Sequence, residues 1–450
     1  MNQLLKTFKP RIMGLTLSVA LILGMVGTAS AANDRTISDE ALLTAAAPAI
    51  EAFAEHYNIL STNIVDVTES VQNDGNLSVE YFVEIRAVLN YENATELPQI
   101  QGLAEALSID SETLTTEEFT TVLRSPDVLS SLTEMVAPQA EKAAEKMSDE
   151  EVSALAAITS PDVTLKSEDT NKEDLVAEAI AQDVANEAIG FVEGIQDEYI
   201  GETSSFNLGL RAEFDPDGNL VDVDYALLDG YAEDMDVVVP NSVDKMKALG
   251  AVQADDLVTA ATNAVVDAAK LFDGGISPQA NDSFVYYRQN AATYANYWTS
   301  NAPERWCSVH GQNIRQDTSK YNSNYAWYCC NDCANYVSQA MRTGSVPTDS
   351  TWAAGKSAWI NCASMEKYFT ETKNWWSASN FTSCNAGGII MLNNSSGSPY
   401  HVVMNVQNDT VVRAYSGHTN DRLKLTYSSD ASFGASSVSY YRFANVYPAH

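Results

Sequence analysis

The chain has 450 residues, 45% of them hydrophobic, which is enough for roughly two or three domains with buried cores and excludes collagen-like and disordered classes. Acidic residues outnumber basic ones 60 to 26, for a net charge of -34. That balance excludes a nucleic-acid binder built on clustered Lys and Arg, and a polybasic membrane-surface protein.

The charge is uneven. Residues 32–280 carry 50 acids and 11 bases, a net of -39, whereas residues 281–450 carry 10 and 12, a net of +2. All 7 Trp and all 6 Cys fall in the second stretch. Two chemically different parts are joined.

Lys6, Lys9 and Arg11, the apolar run Ile12 to Val26 and the small residues Ala29-Ser30-Ala31 form an export signal over residues 1–31. The run is too short for a spanning helix. The mature chain is therefore expected to be exported, secreted or wall-associated, and not integral to a membrane.

Residues 32–272 read as an acidic α+β region. Glu40 to Tyr57, Met135 to Lys146 and Glu173 to Val192 have helical apolar spacing. Ser78 to Leu89 alternates, placing Val79, Tyr81, Val83, Ile85, Ala87 and Leu89 on one face. Phe206 to Leu228 alternates too, broken by Asp215-Pro216-Asp217-Gly218, a hairpin turn. The acids there lack the glycine and glutamate positions of a calcium loop. No catalytic constellation occurs in this region.

Residues 273–283, with Asp273-Gly274-Gly275-Ile276-Ser277-Pro278, have linker composition. Residues 284–450 then open on an aromatic-rich helix from Tyr286. Further on, Asn331 and Asp332 are helix-capping residue types, so a helix is expected to start at Cys333 with Tyr336, Val337 and Ala340 inward. The positive end of a helix dipole favours thiolate over thiol. Strands follow at Gly387 to Leu392, Tyr400 to Val406 and Val411 to Tyr415, with His401 on the second and His418 after the third. A helix-borne Cys followed by a strand-borne His on an antiparallel sheet is the papain-like arrangement.

Several segments occur in an order that resembles the putative amidase domain family of secreted bacterial proteins, relatives of the CHAP amidases. They are Tyr287-Arg288, Ala291-Ala292, Tyr294-Ala295, Asp332-Cys333-Ala334-Asn335-Tyr336-Val337-Ser338-Gln339, Trp352, Ser357-Ala358-Trp359, His401 and His418-Thr419-Asn420-Asp421-Arg422. The resemblance spans about residues 284–445. It implies a papain-like α+β domain after a separate acidic region, with Cys333 as nucleophile and His401 as general base. The third residue is His418, with Asn420 as the alternative. It implies no cofactor and no catalytic metal, and a cell-wall peptide or other amide as substrate. The chain departs from the family in having Gly387-Gly388 where Gly-Asp is usual, and in carrying Cys329 and Cys330 before the motif.

In an exported chain the remaining cysteines can pair. Cys362 with Cys384, and Cys307 with Cys329 or Cys330, are the expected pairings. A rival reading takes Cys307-x-x-His310 and Cys330-x-x-Cys333 as zinc clips, which would make this part a ligand-recognition module of an envelope-binding or adhesion protein. No Walker loop, Gly-x-Ser-x-Gly elbow or His-Glu-x-x-His motif is present. Residues 281–450 alone are expected to fold and hydrolyse amides.

Overall fold

The computed structural model describes residues 36–111, 113–152, 171–228, 230–273, 284–309 and 311–443. The expected export signal, nearly all of the expected linker and His310 lie outside the described residues.

The N-terminal part contains helices α1 (Asp39–Ala54), α2 (Pro98–Ala106), α3 (Thr116–Leu123), α4 (Pro126–Ala144), α5 (Lys172–Tyr199) and α6 (Val243–Asp273). Its strands are β1 (Tyr57–Val71), β2 (Leu77–Leu89), β3 (Thr203–Phe214), β4 (Leu220–Ala226) and β5 (Tyr231–Ala232). The alternation read in β2 is real: all six expected residues are buried. Among them, Tyr81 donates to the Leu42 carbonyl of α1 at 2.8 Å. The β3–β4 turn consumes its own acid, because Asp215 accepts from the amides of Asp217 and Asn219 at 2.9 and 2.8 Å. An acidic hairpin is the result.

The C-terminal part contains α7 (Arg288–Tyr297), α8 (Cys333–Thr343), α9 (Ser357–Ile360) and α10 (Cys362–Lys367). A small ribbon pairs β6 (Glu304–Cys307) with β7 (Gln312–Arg315). The remaining strands are β8 (Trp376–Ser379), β9 (Ile389–Asn393), β10 (Pro399–Asn408), β11 (Arg413–Gly417), β12 (Arg422–Tyr427) and β13 (Ser437–Phe443).

Both parts share one sheet, in the order β1-β2-β3-β12-β11-β10-β9-β13-β8, with β4 and β5 branching from β3. Every pairing is antiparallel except β3 with β12, which meet at Asn207 and Leu425. Buried polar groups tie the halves around this junction. Tyr57 donates to Asp409 at 2.6 Å, Asn207 to the Leu423 carbonyl at 2.7 Å, and Arg413 to Gln99 at 2.5 Å. Arg315 bonds Glu80 at 2.7 Å, and Arg288 forks onto Glu198. One hydrophobic core runs from α1 through α5 and α6 to α8 and β10. The architecture is mixed α+β with a large, mostly antiparallel sheet.

Candidate active site

Helix α8 opens at Cys333, as its sequence predicts, with Asp332 at the N-cap position. Asp332 does not cap the helix in the usual way, however. Its Oδ1 accepts from the Tyr328 amide at 3.0 Å and from Asn335 Nδ2 at 2.9 Å, and its own amide donates to Thr419 at 2.9 Å. Asp332 therefore ties the incoming loop, the helix and the segment after β11 into one corner.

The rest of the motif anchors the helix on all sides. Tyr336 donates to the Ala295 carbonyl at 2.6 Å, and Tyr294 donates to Gln339 at 2.7 Å, fixing α7. Trp359 Nε1 donates to Asn335 at 2.8 Å, while Ser338 donates to the Trp359 carbonyl at 2.9 Å. Each residue from Cys333 to Met341 is buried, not only the predicted inward stripe. A helix held this way gives its first side chain a fixed direction, which a nucleophile needs.

That side chain is Cys333, 7% exposed, and α8 packs on β10, which begins near His401, 6% exposed. The Cys333 thiol lies within hydrogen-bonding reach of the His401 imidazole and the Val402 amide, and its Sγ is 3.7 Å from Cys362 Sγ. Hydrogen bonding from Cys362 favours the Cys333 thiolate most, and the His401 charge and the bonds from His401 and Val402 add to it. Together they outweigh burial and hold the thiol well below its ordinary pKa. Cys362 is pushed up in turn, because it shares its proton with Cys333 and is itself buried.

His418 is placed elsewhere. Its Nδ1 is 2.9 Å from Asp332 Oδ2 and its Nε2 is 2.5 Å from the Trp298 carbonyl. Tyr336 stacks on the ring at 4.1 Å between centroids, and Tyr321 tilts against it at 4.4 Å. Both ring nitrogens are thus committed to Asp332 and Trp298 rather than to His401. Asn420, the alternative, has φ +71° and accepts from the Arg315 amide at 3.3 Å, so it fastens the β7 ribbon. Chain order placed both residues after β11 but gave no direction for their side chains.

The cysteines pair differently from one expectation and as one alternative of the other. Cys307 and Cys330 form a disulfide, with the free Cys329 Sγ 3.9 and 3.4 Å from their sulfurs. Cys362 faces Cys333 and not Cys384, because α10 begins at Cys362 and points it at the start of α8. Cys384 sits in a separate core cluster, where burial pushes its thiol up to about 12. The Cys330-x-x-Cys333 clip is not formed, since Cys330 is bonded to Cys307 with Cys329 beside them, while Cys333 lies with Cys362; His310 of the other clip lies outside the described residues. The Gly387-Gly388 departure also has a local cause: a Cβ on Gly388 would come within 2.5 Å of Cys384 Sγ.

Comparison with known proteins places a family match over the C-terminal part. Residues 285–441, about a third of the chain, match the family model described as a putative amidase domain. That match supports amide hydrolysis at a general level. A protein of Bacillus subtilis (strain 168), named "Uncharacterized protein YjcM", is 41% identical over 49 residues, 11% of this chain. The match spans 12% of that protein's own length. No solved structure matches. Among the described residues, no helix is long and apolar enough to cross a membrane.

Proposed function

We propose that the chain is an exported cysteine amidase that cleaves amide bonds in cell-wall peptides through a thioester on Cys333. The observation that carries this reading is the Cys333 thiol at the first turn of α8, within reach of the His401 imidazole.

The chemistry follows from that arrangement. The thiolate attacks the amide carbonyl carbon, and the developing oxyanion lies near amides of the first turn of α8, which have no intrahelical acceptor. His401 gives its proton to the leaving nitrogen, the C–N bond breaks and a thioester remains. His401 then removes a proton from water, which attacks the thioester and releases the acid. His418 and Asp332 position the start of α8 and do not touch the reacting atoms. Export rests on the residue pattern of the first 31 positions, and the wall peptide on that export together with the amidase-domain match.

Incubation of purified peptidoglycan with the full chain, followed by mass spectrometry, tests the reading. Release of peptides or amines by the wild type and not by Cys333→Ala supports it. Equal release by both proteins overturns it.

A further inference from the structure

Cys362 forms no bond to substrate in the thioester mechanism and serves there only as a hydrogen-bond partner of Cys333, yet it occupies the most consequential position a second thiol can take. Its Sγ is 3.7 Å from the nucleophile, and both residues are buried. Each is also the first residue of its helix: Asp332 precedes Cys333, and Asn361 caps α10 ahead of Cys362 by accepting from the Ser364 amide at 2.9 Å. Bonding the two sulfurs requires an approach of about 1.7 Å to the usual S–S length of about 2 Å, which is on the scale of side-chain rotation.

The other sulfurs are committed elsewhere. Cys307 and Cys330 are bonded to each other with Cys329 against them, and Cys384 is packed beneath Gly388 in a different cluster. Among the described residues, Cys362 is the thiol placed to react with an oxidised Cys333.

We propose that Cys362 is a resolving cysteine that forms a reversible disulfide with Cys333, locking the nucleophile under oxidising conditions and releasing it to a thiol reductant. The regulatory meaning rests on the reading of Cys333 as nucleophile; the oxidation chemistry does not.

With a peroxide as oxidant, the Cys333 thiolate attacks one peroxide oxygen. The O–O bond breaks, hydroxide leaves, and Cys333 becomes a sulfenic acid. The Cys362 sulfur then attacks the sulfenyl sulfur, the S–O bond breaks, and the departing hydroxide takes the Cys362 proton as water. Two thiols and one hydrogen peroxide give one disulfide and two waters. The thiolate character of Cys333, favoured by His401 and Cys362, suits it to the first step. A dithiol reverses the bond by exchange. The lock protects Cys333 from the sulfinic acid, which thiols do not reduce.

The test uses the full chain, reduced, treated with hydrogen peroxide, digested and mapped without reduction. A Cys333–Cys362 linked peptide is expected. Iodoacetamide labelling of Cys333 should fall about tenfold and return on adding dithiothreitol. In Cys362→Ser, and in Cys362→Ala should the serine variant misfold, Cys333 should proceed to a sulfinic acid that dithiothreitol does not restore. A wild-type map showing Cys362 linked to Cys384, or Cys333 sulfinate without a Cys333–Cys362 link, overturns the proposal. A linked pair in a protein whose reduced form hydrolyses no amide would leave the redox pair standing and remove the catalytic reading instead.

Discussion

His418 Nδ1 lies 2.9 Å from Asp332 Oδ2 in a corner where both side chains are at most 3% exposed. The Trp298 carbonyl at the opposite ring nitrogen can only accept, as can an ionised Asp332, so the ring must donate from both sides. A doubly protonated His418 satisfies both. Burial disfavours that charge, but the Asp332 bond, the nearby Asp421 carboxylate and the Trp298 carbonyl together outweigh it and raise the pKa above 6.5. At pH values below its raised pKa, His418 therefore faces Asp332 as a buried, charge-assisted pair at the start of α8.

Removing one partner of such a pair strands the other. His418→Ala is expected to cost about 3–5 kcal/mol of stability, measured by denaturant unfolding. The pH dependence has a definite sign. Because the folded pKa is raised, the stabilisation is complete below 6.5 and is lost as pH rises through the folded value. The unfolding midpoint of the wild type should fall on that alkaline side, and His418→Gln should lack this step. Identical pH profiles would mean that the ring is neutral.

At the reacting centre, Cys333→Ala should abolish amide hydrolysis, and His401→Ala should slow it by about 10²- to 10⁴-fold. Cys329→Ala should retain most activity, since Cys329 lies with the Cys307–Cys330 disulfide and not against His401. Iodoacetamide labelling of the reduced protein checks the assignment independently, with Cys333 expected as the fastest site.

The sequence was readable where one physical pattern dominated. Strand β2 carries six alternating apolar residues on a face that is buried throughout, and α8 begins at the residue its flanking residues point to. Strand β1 is not legible in the sequence because bulges after Ile59 and Val65 shift its pairing and break the period of two, with Asp66 at φ +53°. The direction of His418 was not legible, because spacing along the chain does not say which neighbour a ring will meet. Cys362 left a faint signal: Asn361-Cys362 repeats the cap-then-cysteine pattern of Asp332-Cys333, but only the fold brings the two helix starts together.

Gly387 offers a test of how the sheet meets α7. It has φ +83°, and an added Cβ would lie 2.7 Å from the Arg288 carbonyl oxygen. Neither the conformation nor that backbone contact can relax cheaply. Gly387→Ala is expected to destabilise the protein by more than about 1 kcal/mol, read as a lower thermal midpoint.

The last expectation concerns residues 281–450 expressed alone. Chain composition argues for independence, since the charge changes sign at the linker and every candidate catalytic residue follows it. The packing argues otherwise. Without the N-terminal part, β12 loses β3 and becomes an open edge, which invites aggregation. Asp409 loses the Tyr57 hydroxyl, and Arg413 loses Gln99. Arg288 and Arg315 lose Glu198 and Glu80. Each group left buried without its partner costs about 1–3 kcal/mol, more for the charged ones, against a stability of about 5–15 kcal/mol for a whole domain. The fragment is therefore expected to be insoluble or to unfold without a cooperative transition. In the full chain, Tyr57→Phe alone should cost about 1–3 kcal/mol by removing one bond to buried Asp409. Circular dichroism and thermal melts of the fragment decide the matter. A soluble, cooperatively folding fragment with wild-type hydrolysis would show that the N-terminal strands only extend a sheet that is already stable.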